Sequence, residues 1–134
     1  MLTLDIGFEV LDFEPMIEIV FNDEMLFKGI AKSSYHFVLP ARFGLKQNRN
    51  TLEIKRYGKD PKLHQNGKRD QAVLIKEIKL NGMTFPHIAM YGKFHTEDNQ
   101  VLRTDYLGHN GIYTLNFGYP VETWITNYLY QKDM

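Results

Sequence analysis

Between Asp70 and Gly82 the chain reads Asp-Gln-Ala-Val-Leu-Ile-Lys-Glu-Ile-Lys-Leu-Asn-Gly. A β-branched, aliphatic run closed by Asn-Gly is the strongest short-range signal for a strand entering a hairpin turn, because both central positions of the tight turn need positive φ. The rest of the chain repeats this grammar. Leu2, Leu4, Ile6, Phe8 and Val10 alternate with polar residues, and so do Ile17, Ile19 and Phe21. Period-two alternation is the mark of a half-buried strand. Asn22-Asp23-Glu24 then turns the chain into Met25–Ile30, which predicts a second hairpin. Further strands are expected over 35–39, ended by Pro40, and over 50–57, 87–94, 101–106 and 113–119. The expected fold is an all-β, jelly-roll-like sandwich of about ten strands.

The tail changes period. Val121, Trp124, Ile125, Tyr128 and Leu129 follow the spacing of one helical face, with Pro120 just ahead at the expected first helical position. A short amphipathic helix over 121–130 is predicted to pack on the sandwich, with Trp124 and Tyr128 as core or interface anchors. A chain of 134 residues with no linker or repeat suits one domain, 1–134.

Composition narrows the function classes. Sixteen basic residues balance sixteen acidic ones, which argues against a general nucleic-acid binder. No cysteine is present, so disulfides and thiolate metal sites are excluded. The N-terminal residues have no basic n-region and apolar run of a secretory signal, and no stretch reaches the length of a membrane span. No Gly-x-Ser-x-Gly motif and no zinc-spaced histidines occur. Paired carboxylates, for instance Glu53 with Glu77, would need neighbouring strands to serve glycoside hydrolysis. Outward Glu and Lys are more simply a solvated face, so a non-enzymatic role is expected.

Binding residues are more evident. The polar segment 58–70 is longer than ordinary connections, and such loops carry function. Tyr57 leads into it, and Lys59, Asp60, His64, Arg69 and Asp70 follow. An aromatic ring beside amides and charges is what a sugar needs: a stacking face with hydrogen-bonding neighbours. Tyr91, Tyr106 and Tyr113, near other strand ends, are further aromatic candidates. Calcium, which takes several carboxylate and carbonyl oxygens, would find its ligands in Asp60 and Asp70. Glu97, Asp98, Asn99 and Asp105 offer a second group of oxygens near another hairpin end.

Two resemblances follow from particular residues. Asp70, Ala72, Val73, Ile75, Ile78, Asn81 and Gly82, with Asn50-Thr51-Leu52-Glu53-Ile54, resemble the β-jelly-roll carbohydrate-binding modules of the calcium-dependent xylan-binding type. That likeness implies a sandwich fold and a glycan site in the Tyr57–Asp70 region, with calcium as the implied metal. The segment Tyr106–Phe117, with Pro120 and Trp124, is similar in style to small virion proteins of tailed phages. It implies a structural or adhesion module of a tail, baseplate or fibre, assembled in a host cytoplasm. Such a module would pack on other subunits or on itself, with exposed edge strands as docking sites and host glycans as further contacts. The sequence reading places this virion role first and a carbohydrate-binding module second.

Overall fold

The computed structural model describes residues 2–12, 14–40, 49–58 and 71–133, with side chains at all of these except 12, 71 and 128–133. Ten strands are formed among them: β1 (Leu2–Asp12), β2 (Met16–Phe21), β3 (Glu24–Ile30), β4 (Ser34–Leu39), β5 (Asn50–Tyr57), β6 (Gln71–Leu80), β7 (Lys93–Thr96), β8 (Val101–Leu102), β9 (Tyr106–Leu107) and β10 (Gly111–Phe117). They pair antiparallel into a four-stranded sheet, β4-β1-β6-β9, and a six-stranded sheet, β3-β2-β5-β10-β7-β8. The two sheets form the expected jelly-roll-like sandwich, closed by helix α1 (Val121–Asp133). Helix α1 starts at Val121 as expected and runs on to Asp133; the Pro120 carbonyl accepts the Trp124 N–H at 3.2 Å, so Pro120 stands just before the first turn.

Alternation decides which side chains meet. Leu2, Leu4, Ile6 and Phe8 of β1 face Ile17, Ile19, Phe21, Leu52, Ile54, Tyr113, Leu115 and Phe117 of the opposite sheet, all buried. Each such side chain stabilises the fold by about 1.5–3 kcal/mol. In β6 the apolar phase shifts, from Val73 and Ile75 to Ile78 and Leu80. A bulge opposite Gly7 and Phe8 absorbs the extra residue, Lys76, and keeps both halves pointing inward. The Asn22-Asp23 and Asn81-Gly82 turns have the positive φ at both central residues that a two-residue hairpin demands.

Three expectations are corrected. The return of the Asn81-Gly82 hairpin is only a bridge between Leu80 and Met83, because the chain leaves the sheet to bury Phe85. The strand expected over 87–94 begins only at Lys93; ahead of it lies a 3₁₀ turn, Ile88–Tyr91. His87 enters that turn at φ 62°, which breaks the extended run before Ile88. The strand expected over 101–106 divides: β8 stays on β7, then the chain crosses to lay β9 on β6 in the other sheet. The Ile75 N–H donates to the Asp105 carbonyl at 2.7 Å and fixes that crossing.

Candidate functional site

The six-stranded sheet has its inward side in the core and its outward side open. Register places Ile112, Thr114 and Asn116 of β10 outward between two neighbours. On the β5 side they stand opposite Lys55, Glu53 and Thr51. On the β7 side His95 pairs with Ile112, and Lys93 with Thr114. Val101 of β8 faces His95, and Arg103 follows directly after β8. Arg49 precedes β5. Its Nε donates to Asn116 Oδ1 at 3.3 Å, and the same oxygen accepts the Thr51 hydroxyl at 2.8 Å. Together Arg49, Tyr91, Lys93, His95, Val101, Arg103, Thr114 and Asn116 line an open trough of about 650 Å³. That volume lies within the usual range of small-molecule sites.

Tyr91 reaches the trough through the 3₁₀ turn, and the core holds the turn in place. The Tyr113 hydroxyl, buried under it, donates to the Ala89 carbonyl at 2.7 Å. Burial pushes the Tyr113 hydroxyl well above its ordinary titration range; the nearby Asp105 charge adds to this, and a backbone bond from Gly92 partly opposes it. The hydroxyl therefore stays protonated and remains a donor. Gly92 must be glycine here, because a Cβ would lie 2.5 Å from the Tyr113 ring. The Tyr91 ring is set at right angles to Trp124, with centroids 5.5 Å apart, and to Phe85 at 6.4 Å. Trp124 in turn packs on Phe85 at 5.7 Å and on Phe117 at 6.0 Å. Edge-to-face pairs of this kind fix ring orientation and add about 0.5–1.5 kcal/mol each. Helix α1 thus buttresses an aromatic ring that is still 39% exposed.

The residues singled out from sequence fall in different places. Lys59, Asp60, His64, Arg69 and Asp70 lie outside the described residues, and so does the calcium pair Asp60 and Asp70. Among the described residues, no three His, Asp or Glu side chains converge as a metal site would require. Glu97, Asp98 and Asn99 form the tip between β7 and β8, where Asp98 accepts the Thr96 hydroxyl. Tyr57 is half-buried at the far end of β5 from Arg49, and its hydroxyl is buried with no hydrogen-bond partner among the described residues. Trp124 is half-buried in the aromatic cluster, while the Tyr128 side chain is outside the described set. Glu53 and Glu77 stand on different sheets, so their strands are not neighbours and the proposed carboxylate pair does not form. Of the other tyrosines, Tyr113 is core and Tyr106 sits on the edge strand β9; Tyr91 alone of these three lines the trough. Arg49, Lys93, Arg103 and Asn116 were not anticipated. Alternation puts Lys93 with His95, and Thr114 with Asn116, but only strand order brings the two pairs together.

No family model matches this sequence, and no curated protein matches it. Among solved structures the chain is similar to vCBM60, a carbohydrate-binding module, in complex with galactobiose. The two share 13% identity and superpose with a TM-score of 0.56 over 87% of this chain and 97% of that one. At this identity the likeness establishes the fold alone, a jelly-roll-like β-sandwich. It carries nothing of the virion resemblance. No helix among the described residues is long and apolar enough to cross a membrane.

Proposed function

We propose that this protein is a non-catalytic glycan-binding module, and that the trough on its six-stranded sheet is the sugar site. One observation carries this reading. An exposed Tyr91 ring, braced edge-on by Phe85 and Trp124, stands beside the hydrogen-bonding groups of Thr114, Asn116 and Arg49. A sugar ring stacks its C–H face on such an aromatic surface and bonds its hydroxyls to the neighbours. A braced ring loses little freedom on binding, so more of the contact energy appears as affinity. The galactobiose held by the similar module vCBM60 supports a saccharide as the ligand class. A place in a phage tail or fibre would be one setting for such a module; the fold similarity favours the sugar-binding role itself.

Calorimetric titration of oligosaccharides chosen from a glycan array tests the proposal. Tyr91→Ala is expected to weaken binding about tenfold or more, the equivalent of about 1.4 kcal/mol. Tyr57→Ala, at the other end of β5, is expected to leave it within about twofold. The opposite pattern would move the site to the Tyr57 end.

A further inference from the structure

We infer that the trough selects anionic sugars, those carrying carboxylates or sulfate esters, over neutral ones. This rests on the glycan-binding reading above and names its ligand class. Arg49, Lys93 and Arg103 line the trough together with His95, and among the described residues no Asp or Glu lines it. The chain as a whole has a formal charge of +0, so this local surplus is not the by-product of a basic protein. Several cations elsewhere on the outward faces are answered by carboxylates: Lys28 by Glu18, Lys76 by Glu9, Lys79 by Glu77, and His36 by Asp5. None of the ion pairs among the described residues involves Arg49, Lys93 or Arg103.

Geometry sharpens the choice. The cross-strand partners of Lys93 and His95 are Thr114, Ile112 and Val101, none of them acidic. Glu53 borders the trough from the β5 side, opposite Thr114, so β10 stands between it and Lys93. Grouped like charges raise the local potential, and an anion seated among them relieves it. A neutral sugar would crowd water from these cations without supplying a counter-charge. Among the described residues Arg49 spends one donor, on Asn116, and the rest of its fork suits a carboxylate or sulfate. A pyranose stacked on Tyr91 would share the trough with Lys93 and Arg103, within which its ring-edge substituents lie. An acidic group at the ring edge therefore arrives where the positive charge lies. A nucleic acid offers anions too, but a short trough on a neutral chain lacks the long basic track that backbone binding uses.

The experiment titrates the whole chain with four probes: trigalacturonate, a sulfated galactotriose, neutral galactotriose and a single-stranded oligonucleotide. The expected result is that one or both acidic sugars bind about tenfold more tightly than the neutral one. In the double variant Lys93→Gln/Arg103→Gln, and in about 0.5 M salt, that preference should shrink to about twofold or less. Lys76→Gln, on the other sheet, should keep the full preference. The better of the two acidic probes distinguishes carboxylate from sulfate recognition. Equal affinity for neutral and acidic sugars would overturn the inference and leave the glycan-binding reading standing. Binding of none of the three sugars, or tighter binding of the oligonucleotide, would overturn both.

Discussion

The outward faces of the two sheets are written in the same alternating polar code and reach opposite electrostatic states. On the four-stranded sheet, Lys76 sits 3.3 Å from Glu9 and Lys79 sits 3.3 Å from Glu77, while His36 meets Asp5 across β1 and β4. That face neutralises itself. On the β10-β7-β8 side of the six-stranded sheet, Lys93 and His95 face threonine, isoleucine and valine, Arg103 follows β8, and no ion pair among the described residues takes up the charge of Lys93 or Arg103. Exposed pairs of the first kind are worth about 0–1 kcal/mol, so they contribute little to folding. Their consequence is negative: they leave nothing there to attract an ion. The difference teaches that charged residues on a strand surface cannot be read one by one. Their cross-strand partners decide whether they are solvated filler or a site.

Four substitutions would break or sharpen this contrast. The largest effect is expected from Trp124→Ala. It removes the ring that packs on Phe85, Tyr91 and Phe117 and so loosens both α1 and the trough. A loss of about 3 kcal/mol in denaturant midpoint analysis is expected, together with weaker sugar binding. A variant of unchanged stability would mean that the aromatic brace is not what holds Tyr91.

Next comes Tyr113→Phe, which takes from the buried Ala89 carbonyl the shorter of its two donors, leaving the Gly92 N–H at 3.3 Å, and should cost about 0.5–1.5 kcal/mol. The same residue makes a pH prediction. Its titration is raised above the ordinary 10.0, so the folded state holds the proton more tightly than the unfolded state does. The stabilisation is complete below about pH 10 and is lost as pH climbs beyond it. Thermal unfolding followed from pH 8 to pH 11 should show the wild type losing more stability over the alkaline interval than Tyr113→Phe. Tyr35, also raised by burial, will keep part of that loss in the variant. Parallel alkaline profiles would count against the buried Tyr113 donor.

The smallest effect belongs to the neutralised face. Lys76→Gln and Lys79→Gln are each expected to change stability by no more than about 0.5 kcal/mol. Neither should alter sugar affinity. A clear loss of binding in either variant would end the contrast between the two faces and point to the four-stranded sheet as the site.

Much of the fold was legible because its rules are local. Period-two alternation in Leu2–Val10 and Ile17–Phe21, and the positive-φ demand at Asn22-Asp23 and Asn81-Gly82, need no knowledge of distant residues. The helical spacing of Val121, Trp124 and Ile125 is equally local. The missed elements are those that a distant contact overrules. Residues 87–91 hold hydrophobic side chains suited to a strand, but Tyr113, 24 positions beyond Ala89, binds its carbonyl and fills the space over Gly92. The division of 101–107 between two sheets depends in the same way on β6 receiving Tyr106 and Leu107.

The candidate site was legible only in kind. The sequence by itself determined that aromatic rings, amides and balanced charges would lie on the outside of a sandwich, because alternation sends every second residue outward. It also marked Tyr91 as a ring near a strand end. Which rings and charges would share one place was decided by the tertiary structure. Strand order set β10 between β5 and β7, and so put Arg49 and Asn116 beside Lys93 and Arg103, residues more than forty positions apart in the first case. The physical reason is that a strand's own period specifies a face but not a neighbour. The neighbour follows from burying both sheets' apolar faces at once, a condition that only the whole chain can satisfy.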